Sequence, residues 1–478
     1  MQLNPATMPP VGTVDLRFQS YNVEMVEVTG GRFWAPYAAI AADGERYRER
    51  PPTDLEDPKL RRLAAALGPA YMRVSGTWAN STYFCDSDPG PAAPPTGFGG
   101  VLTHQRWQSV VDFARAVDAE IVTSVAISAG TRDAAARWLP DQARRFFAFT
   151  NAIGGTIAGT EFMNEPSARA GSPEGYDAAA FGRDFQSLRD LVAEVSPQTL
   201  LLGPGAIGDR LDAAAEAEPL SSQRLLAETA PAVDVFSYHH YGAASRRCAG
   251  DTWWPQTRPQ DALTEDWLGT TERAFAVYRA LRDRFTPGKP IWLTETADTV
   301  CGGNPWAVTF LDSFRYLDQL GRLAKSGVQA VMHNTFAASD YGMIDETTLQ
   351  PRPNYWCALL WRKLMGTTVL DAGLPATADL HLYAHTLRDR PGGVALLALN
   401  TDRKAERVLT LPLAAERYTL SAEPLQGGPL ALNGIPLALD AGGNVPSLTG
   451  VATPPGALIL PPASITFLAV PSAGNTAA

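Results

Sequence analysis

Along most of the chain, short apolar runs rich in β-branched residues alternate with longer stretches whose apolar residues recur at three- and four-residue steps. The short runs are LRFQSYNVE (16–24), AYMRVS (70–75), EIVTSVAIS (120–128), GTIAGTEFMNE (155–165), TLLLGP (199–204), VDVFSYHHY (233–241), PIWLTET (290–296) and QAVMHNTFA (329–337). Between them, 57–67, 105–118, 174–195 and 305–326 carry helical periodicity. Strands alternating with helices imply parallel strands joined by right-handed crossovers, and eight such units predict an α/β fold, a (β/α)8 TIM barrel. Beyond about residue 370 the helical period gives way to short alternating strands, HLYAHTL, GVALLALN, RVLTLPL, YTLSAEPL and ALILPPASITFLAV, separated by Gly, Pro and Asp. That pattern predicts a C-terminal antiparallel β-sandwich. The expected units are a catalytic barrel over 16–368 and a sandwich over 369–478, with residues 1–15 lending a strand to the sandwich. Two long insertions, 29–56 and the Pro/Gly-rich 86–100, follow the first and second strands and are expected to shape a cleft.

A barrel keeps its chemistry at the C-terminal ends of its strands. There the fourth run ends in Asn164-Glu165-Pro166 and the seventh in Thr294-Glu295-Thr296. Two carboxylates facing each other across a barrel mouth suit acetal hydrolysis, which needs a proton donor for the leaving oxygen and a second carboxylate at the anomeric carbon. Glu165 is expected to be the acid/base and Glu295 the nucleophile of a retaining enzyme, the charge of one raising the pKa of the other. By the same geometry, Asn164 is expected to bind a sugar hydroxyl, Arg73 to keep Glu295 ionised, and Tyr241 to donate to the nucleophile. His240 is expected as a supporting neighbour, with one or both of His239 and His240 alternatively packed inside.

Composition narrows the class. The chain has 45% hydrophobic and 19% charged residues, ordinary for a globular enzyme, and a net charge of −10 that disfavours nucleic acid. No apolar run is long enough for a bilayer span. The start lacks signal-peptide character, which suits either a cytoplasmic protein or an exported one whose signal is gone. Four cysteines without C-x-x-C spacing and six histidines argue against a metal centre, so no metal and no cofactor is expected. The expected partner is a carbohydrate alone, bound by a monomer.

The segments SYNVE (20–24), PKLRRLAAALGPAYMRVSGT (58–77), Asn164-Glu165-Pro166, DVFSYHHY (234–241), GKPIWLTETADTVCGGNPWA (288–307) and DYGMIDETTLQPRPNYWCALLWRKLMGTTVL (340–370) resemble family 79 glycoside hydrolases, the heparanase-like β-glucuronidases. The resemblance implies a retaining hydrolase of β-linked glucuronic acid. It places Glu165 and Glu295 on the catalytic pair, Tyr341 on a tyrosine binding the glucuronate carboxylate, and Tyr241 beside the nucleophile. Glu24 falls where the pattern has an aspartate near the sugar hydroxyls, and Thr77 and Arg246 line the cleft. The family's glycine-rich turn of N–H donors for the substrate carboxylate becomes Val300-Cys301-Gly302-Gly303, with a cysteine where glycine is usual. Ser339 likewise replaces a glycine, and Cys301 could pair with Cys248 or Cys85. Exo or endo action depends on the two insertions and on Arg32, Arg246 and Arg247 as groove cations. A barrel glycosidase for a neutral sugar and a carbohydrate-binding protein without turnover are the competing readings.

Overall fold

Eight strands, each too apolar to leave a face in water, close on one another in chain order. They are β1 (Gln19–Glu24), β2 (Ala70–Ser75), β3 (Ala119–Ser124), β4 (Ile157–Glu161), β5 (Leu200–Ile207), β6 (Val235–Ala244), β7 (Ile291–Val300) and β8 (Ala330–His333). Every pairing is parallel, and β8 closes on β1 with Val331 opposite Gln19 and His333 opposite Tyr21. The structure, a computed structural model, describes residues 2–40, 44–230, 232–250, 254–373 and 379–477. Tyr71, Val122, Leu202, Val235, Trp292 and Met332 fill the floor of the barrel, so side chains carried higher on the strands face a closed base and an open mouth.

The helices start where local chemistry lets them. Asp57 caps Pro58–Ala65, its carboxylate accepting from the amides of Lys59 at 2.7 Å and Leu60 at 2.9 Å, while Pro58 occupies a position that needs no N–H. The helix read over 305–326 begins at Phe310, after Thr309. It is buried on nearly all sides because the C-terminal sheet covers the face turned away from the barrel. Tyr383 of that sheet lies where a side chain at Gly321 would sit, 2.3 Å from its ring, so only glycine admits this approach. His381 and Tyr383 both reach Asp318 on the helix at 2.5 Å.

The C-terminal sheet is antiparallel, in the order Pro10–Thr13, Met365–Leu370, Leu380–Leu387, Val394–Asn400, Ser464–Val470 and Ala415–Ser421, with short strands beyond. A two-stranded sheet, Arg407–Leu411 with Gly456–Leu460, covers its outer face over Leu370, Leu396, Leu409, Leu458 and Leu468. Its inner face packs on the barrel helices through Leu397 and Phe467. Covered twice, Val394–Asn400 and Ser464–Val470 are buried throughout.

Candidate active site

The mouth of the barrel is polar because a few ions replace its apolar lining. Arg73, at the end of β2 and 1% exposed, gives its guanidinium to three acceptors. It donates to Glu161 at 2.8 and 3.1 Å, to Glu295 at 2.8 Å and to the amide oxygen of Asn164 at 2.8 Å. Burying one such charge is tolerable only when it is paired, and Arg73 pairs with two carboxylates. The other oxygen of Glu295 accepts from the Tyr241 hydroxyl at 2.8 Å, and that hydroxyl accepts from Asn334 at 3.0 Å. Each oxygen of Glu295 thus has its own donor, which fixes the plane of the carboxyl group.

A β-bulge allows this arrangement. Tyr238 pairs with Leu293 but His239 pairs with Glu295, so Thr294 is the extra residue on β7. Thr294 and Glu295 consequently both turn inward, the first donating to Glu161 at 2.8 Å and the second meeting Arg73. Glu165 arrives differently. Strand β4 stops at Glu161, four residues earlier than its apolar run, and the chain bends until Glu165 sits in the left-handed region at φ 48° before Pro166. Such backbone costs about 1–3 kcal/mol in a residue with a side chain. Asn80 ties it down, donating to the Asn164 carbonyl at 2.9 Å and accepting from the Asn164 amide at 2.8 Å. An oxygen of Glu165 then lies within 4.8 Å of one of Glu295.

His239 and Glu161, neither singled out from the sequence, complete the floor of the site. His239 Nδ1 is 3.0 Å from Glu165 and 3.7 Å from Glu295, and its Nε2 is 3.8 Å from Glu161. Burial pushes the imidazole towards neutrality, but Glu295, Glu161 and Glu165 outweigh it and raise its pKa to about 9. Burial also works to raise Glu161, yet the Arg73 guanidinium and His239 hold it below the ordinary carboxylate range. Glu165 is pushed up, first by burial and then by the charge of Glu295, with His239 pulling the other way. Glu24 is raised well above the carboxylate range by burial and by Glu295. It accepts from Asn334 at 3.1 Å, and Gly76 must lack a side chain because a Cβ there would lie 1.6 Å from its other oxygen.

His240 requires a correction. Successive strand residues face opposite ways, so with His239 and Tyr241 inward His240 points out of the barrel. Burial there and the nearby Arg315 and Arg273 lower its pKa to about 3, so it does not assist the site. The cleft, about 260 Å³, is lined by Glu24, Thr77, Glu165, Tyr241, Glu295, Cys301 and Tyr341, all anticipated. It is also lined by Val300, which opens the expected turn, and by Trp34, Tyr47, Trp78 and Asn334, which were not anticipated. Trp34 and Tyr47 stack at 4.4 Å across a hairpin, Gly31–Trp34 with Tyr47–Arg50, that forms part of the 29–56 insertion. The 86–100 segment does not line the cleft and packs elsewhere, Gly97 accepting from Gly130 at 3.2 Å.

Among the remaining expected residues, Asn164 lies behind the pair on Arg73, and Gly302 lies behind Cys301, its carbonyl turned to Ser339 and Asp340. Arg246 is exposed, 5.9 Å over the Trp306 ring. Arg247 is no groove cation: it is buried, donating to the carbonyls of Ala35, Cys301 and Gly303 and to Asp340. Cys301 pairs with Cys248, and Cys85 and Cys357 are free and buried.

Fold and site define a barrel glycoside hydrolase. Residues 94–321 match the family model for Glycosyl hydrolase family 79, N-terminal domain. It is 26% identical to heparanase of Mus musculus, over 88% of this chain and 87% of that one. It is 26% identical to Heparanase-like protein 1 of Arabidopsis thaliana, over 74% and 66%, and 28% identical to Baicalin-beta-D-glucuronidase of Scutellaria baicalensis, over 59% and 51%. A solved 4-O-alpha-L-rhamnosyl-beta-D-glucuronidase from Fusarium oxysporum 12S shares the fold with TM-score 0.69 at 15% identity, covering 98% of this chain and 100% of that one.

The imidazole makes a prediction. His239 lowers the Glu165 pKa, so His239→Gln is expected to move the alkaline limb of kcat/KM to higher pH; a limb that stays or moves down contradicts the assignment. The folded pKa of about 9 exceeds the unfolded value of about 6.5. The stabilisation from His239 is therefore complete below about pH 6.5 and lost as pH rises through about 9. Melting temperatures across that window should fall less in the variant than in the wild type.

Proposed function

We propose that the chain is a retaining, exo-acting β-glucuronidase, with Glu295 as nucleophile and Glu165 as acid/base. The observation that carries the mechanism is the approach of the two carboxylates to within 4.8 Å. Retaining glycosidases hold their carboxyl groups about 5–5.5 Å apart, whereas inverting ones leave roughly 6.5–9.5 Å for a water. Glu295, fixed by Arg73 and Tyr241, attacks the anomeric carbon as the bond to the leaving oxygen breaks. Glu165 gives that oxygen its proton. The ester that forms cancels the charge on Glu295, the pKa of Glu165 falls, and Glu165 takes a proton from the water that releases the sugar. Asn164, its oxygen committed to Arg73, has its NH2 group left to offer the sugar 2-hydroxyl.

Glucuronate is the favoured sugar because Tyr341, Val300 and Cys301 line one side of the cleft with Gly302 and Gly303 next in the chain, and N–H groups in a turn bind carboxylates without a full positive charge. Placement supports exo action. Glu165, after β4, marks the leaving-group side; the Trp34/Tyr47 hairpin follows β1, across the barrel, where a longer chain would continue. Arg32 is paired with Glu45 at 3.0 Å and Arg247 is buried, so a sulfated polymer meets few cations on a protein of charge −10. We read residues 16–364 as the catalytic unit and 1–15 with 365–478 as the sandwich that braces it, four residues earlier than the expected boundary because the strand Met365–Leu370 lies in that sheet. Incubation with an aryl β-glucuronide and with heparan sulfate tests the proposal. Release of glucuronic acid without a drop in polymer size is expected; rapid shortening of the polymer would make the enzyme endo-acting.

A further inference from the structure

Cys301, Gly302 and Gly303 lie at φ 64°, 82° and 82°, a left-handed turn in which only the cysteine carries a side chain. Here every carbonyl is held. Arg247 donates to the Cys301 oxygen at 3.2 Å and to the Gly303 oxygen at 2.6 Å. The Gly302 oxygen accepts from the Asp340 amide at 3.1 Å and the Ser339 hydroxyl at 3.0 Å. Each carbonyl is antiparallel to the N–H of its own peptide, so the amides of Gly302 and Gly303 point away from these anchors. The guanidinium is itself fixed by Ala35, by Asp340 and by the Tyr37 ring at 3.9 Å. The disulfide from Cys248 ties the strained residue to the segment that carries Arg247.

We propose that the Cys248–Cys301 disulfide and Arg247 act as a strap that holds this turn with its amides presented to the substrate carboxylate. The cysteine then substitutes for the missing glycine: a covalent tie enforces a backbone conformation that glycine would adopt freely. Cys248 and Arg247 are positioning residues, acting through the turn, and the inference rests on the glucuronidase reading above.

The test compares wild type, Cys248→Ser and the double variant Cys248→Ser/Cys301→Gly, measuring kcat and KM on 4-nitrophenyl β-D-glucuronide and the inhibition constant of free glucuronic acid. Cutting the strap is expected to raise KM and the inhibition constant together by about tenfold, the worth of one hydrogen bond to a charged group, with kcat changed less than about twofold. The double variant, with residue 301 freed from its Cβ, should recover most of that loss. Unchanged KM and inhibition constant in Cys248→Ser would overturn the strap, as would a fall in kcat at constant KM, or a double variant no better than the single one. A wild type that turns over no glucuronide would instead overturn the glucuronidase reading, and the strap with it.

Discussion

Glu295→Gln is expected to lower kcat on an aryl β-glucuronide by about 10⁴–10⁶-fold, the scale on which removing a covalent nucleophile acts. The amide has the shape of the carboxylate, and its oxygen still accepts from Arg73, while its NH2 faces the Tyr241 hydroxyl and can only donate to it; the amide cannot form the glycosyl ester. The fold should survive. Arg73 keeps Glu161 at 2.8 Å, and one of several crowded carboxylates is removed. The melting temperature is therefore expected to stay level or rise. Loss of that charge also removes one of the pushes that raise Glu24 and Glu165, so both should titrate lower in the variant. A 2-fluoro glucuronide that becomes attached to the wild-type protein should leave the variant at its unmodified mass. Turnover within tenfold of wild type would eliminate Glu295 as nucleophile.

What could be read in the sequence divides along physical lines. The eight barrel strands announce themselves because parallel strands are covered twice and cannot alternate. Glu165 and Glu295 stand out because each follows such a run. Glu161 was hidden in plain view inside the fourth run. An acid among apolar strand residues four places before the candidate acid is a signal of a buried, paired charge. His239 was separable from His240 by parity alone: with Tyr241 taken as inward, period two turns His239 inward and His240 out. The bulge on β7 defeats that same rule, because Thr294 and Glu295 are neighbours and both face the site. No single-strand pattern carries a bulge, which depends on the register of two strands. The hairpin that brings Trp34 and Tyr47 together was unreadable for another reason: its strands have four residues each and are far apart in sequence. The disulfide lay beyond spacing arguments, since any of the cysteine pairings closes a permissible loop.

Glu165→Ala is the second large effect, and it separates the two halves of the reaction. General acid–base assistance is worth about 10²–10⁴ in rate, but only where a proton is needed. Nitrophenolate departs without one, so the first step on 4-nitrophenyl β-D-glucuronide should be slowed little. The second step loses the carboxylate that stands within 4.8 Å of the nucleophile and would take the proton from water. The glycosyl-enzyme should therefore accumulate, visible as a burst of nitrophenolate followed by a slow steady state. Substrates with poorer leaving groups should lose the burst and fall in proportion to the basicity of the departing oxygen. The pH profile changes in a defined sense as well. With a pKa raised by burial and by Glu295, Glu165 stays protonated above the ordinary carboxylate range, and its deprotonation makes the alkaline limb of kcat/KM. That limb should vanish in the variant. Azide, which needs no base, should enter the space left by the side chain, restore turnover and yield the β-azide. The β configuration is the decisive readout. Two displacements at the anomeric carbon return the original configuration, as carboxylates within 4.8 Å require, whereas a single displacement by azide would give the α product and refute the retaining geometry.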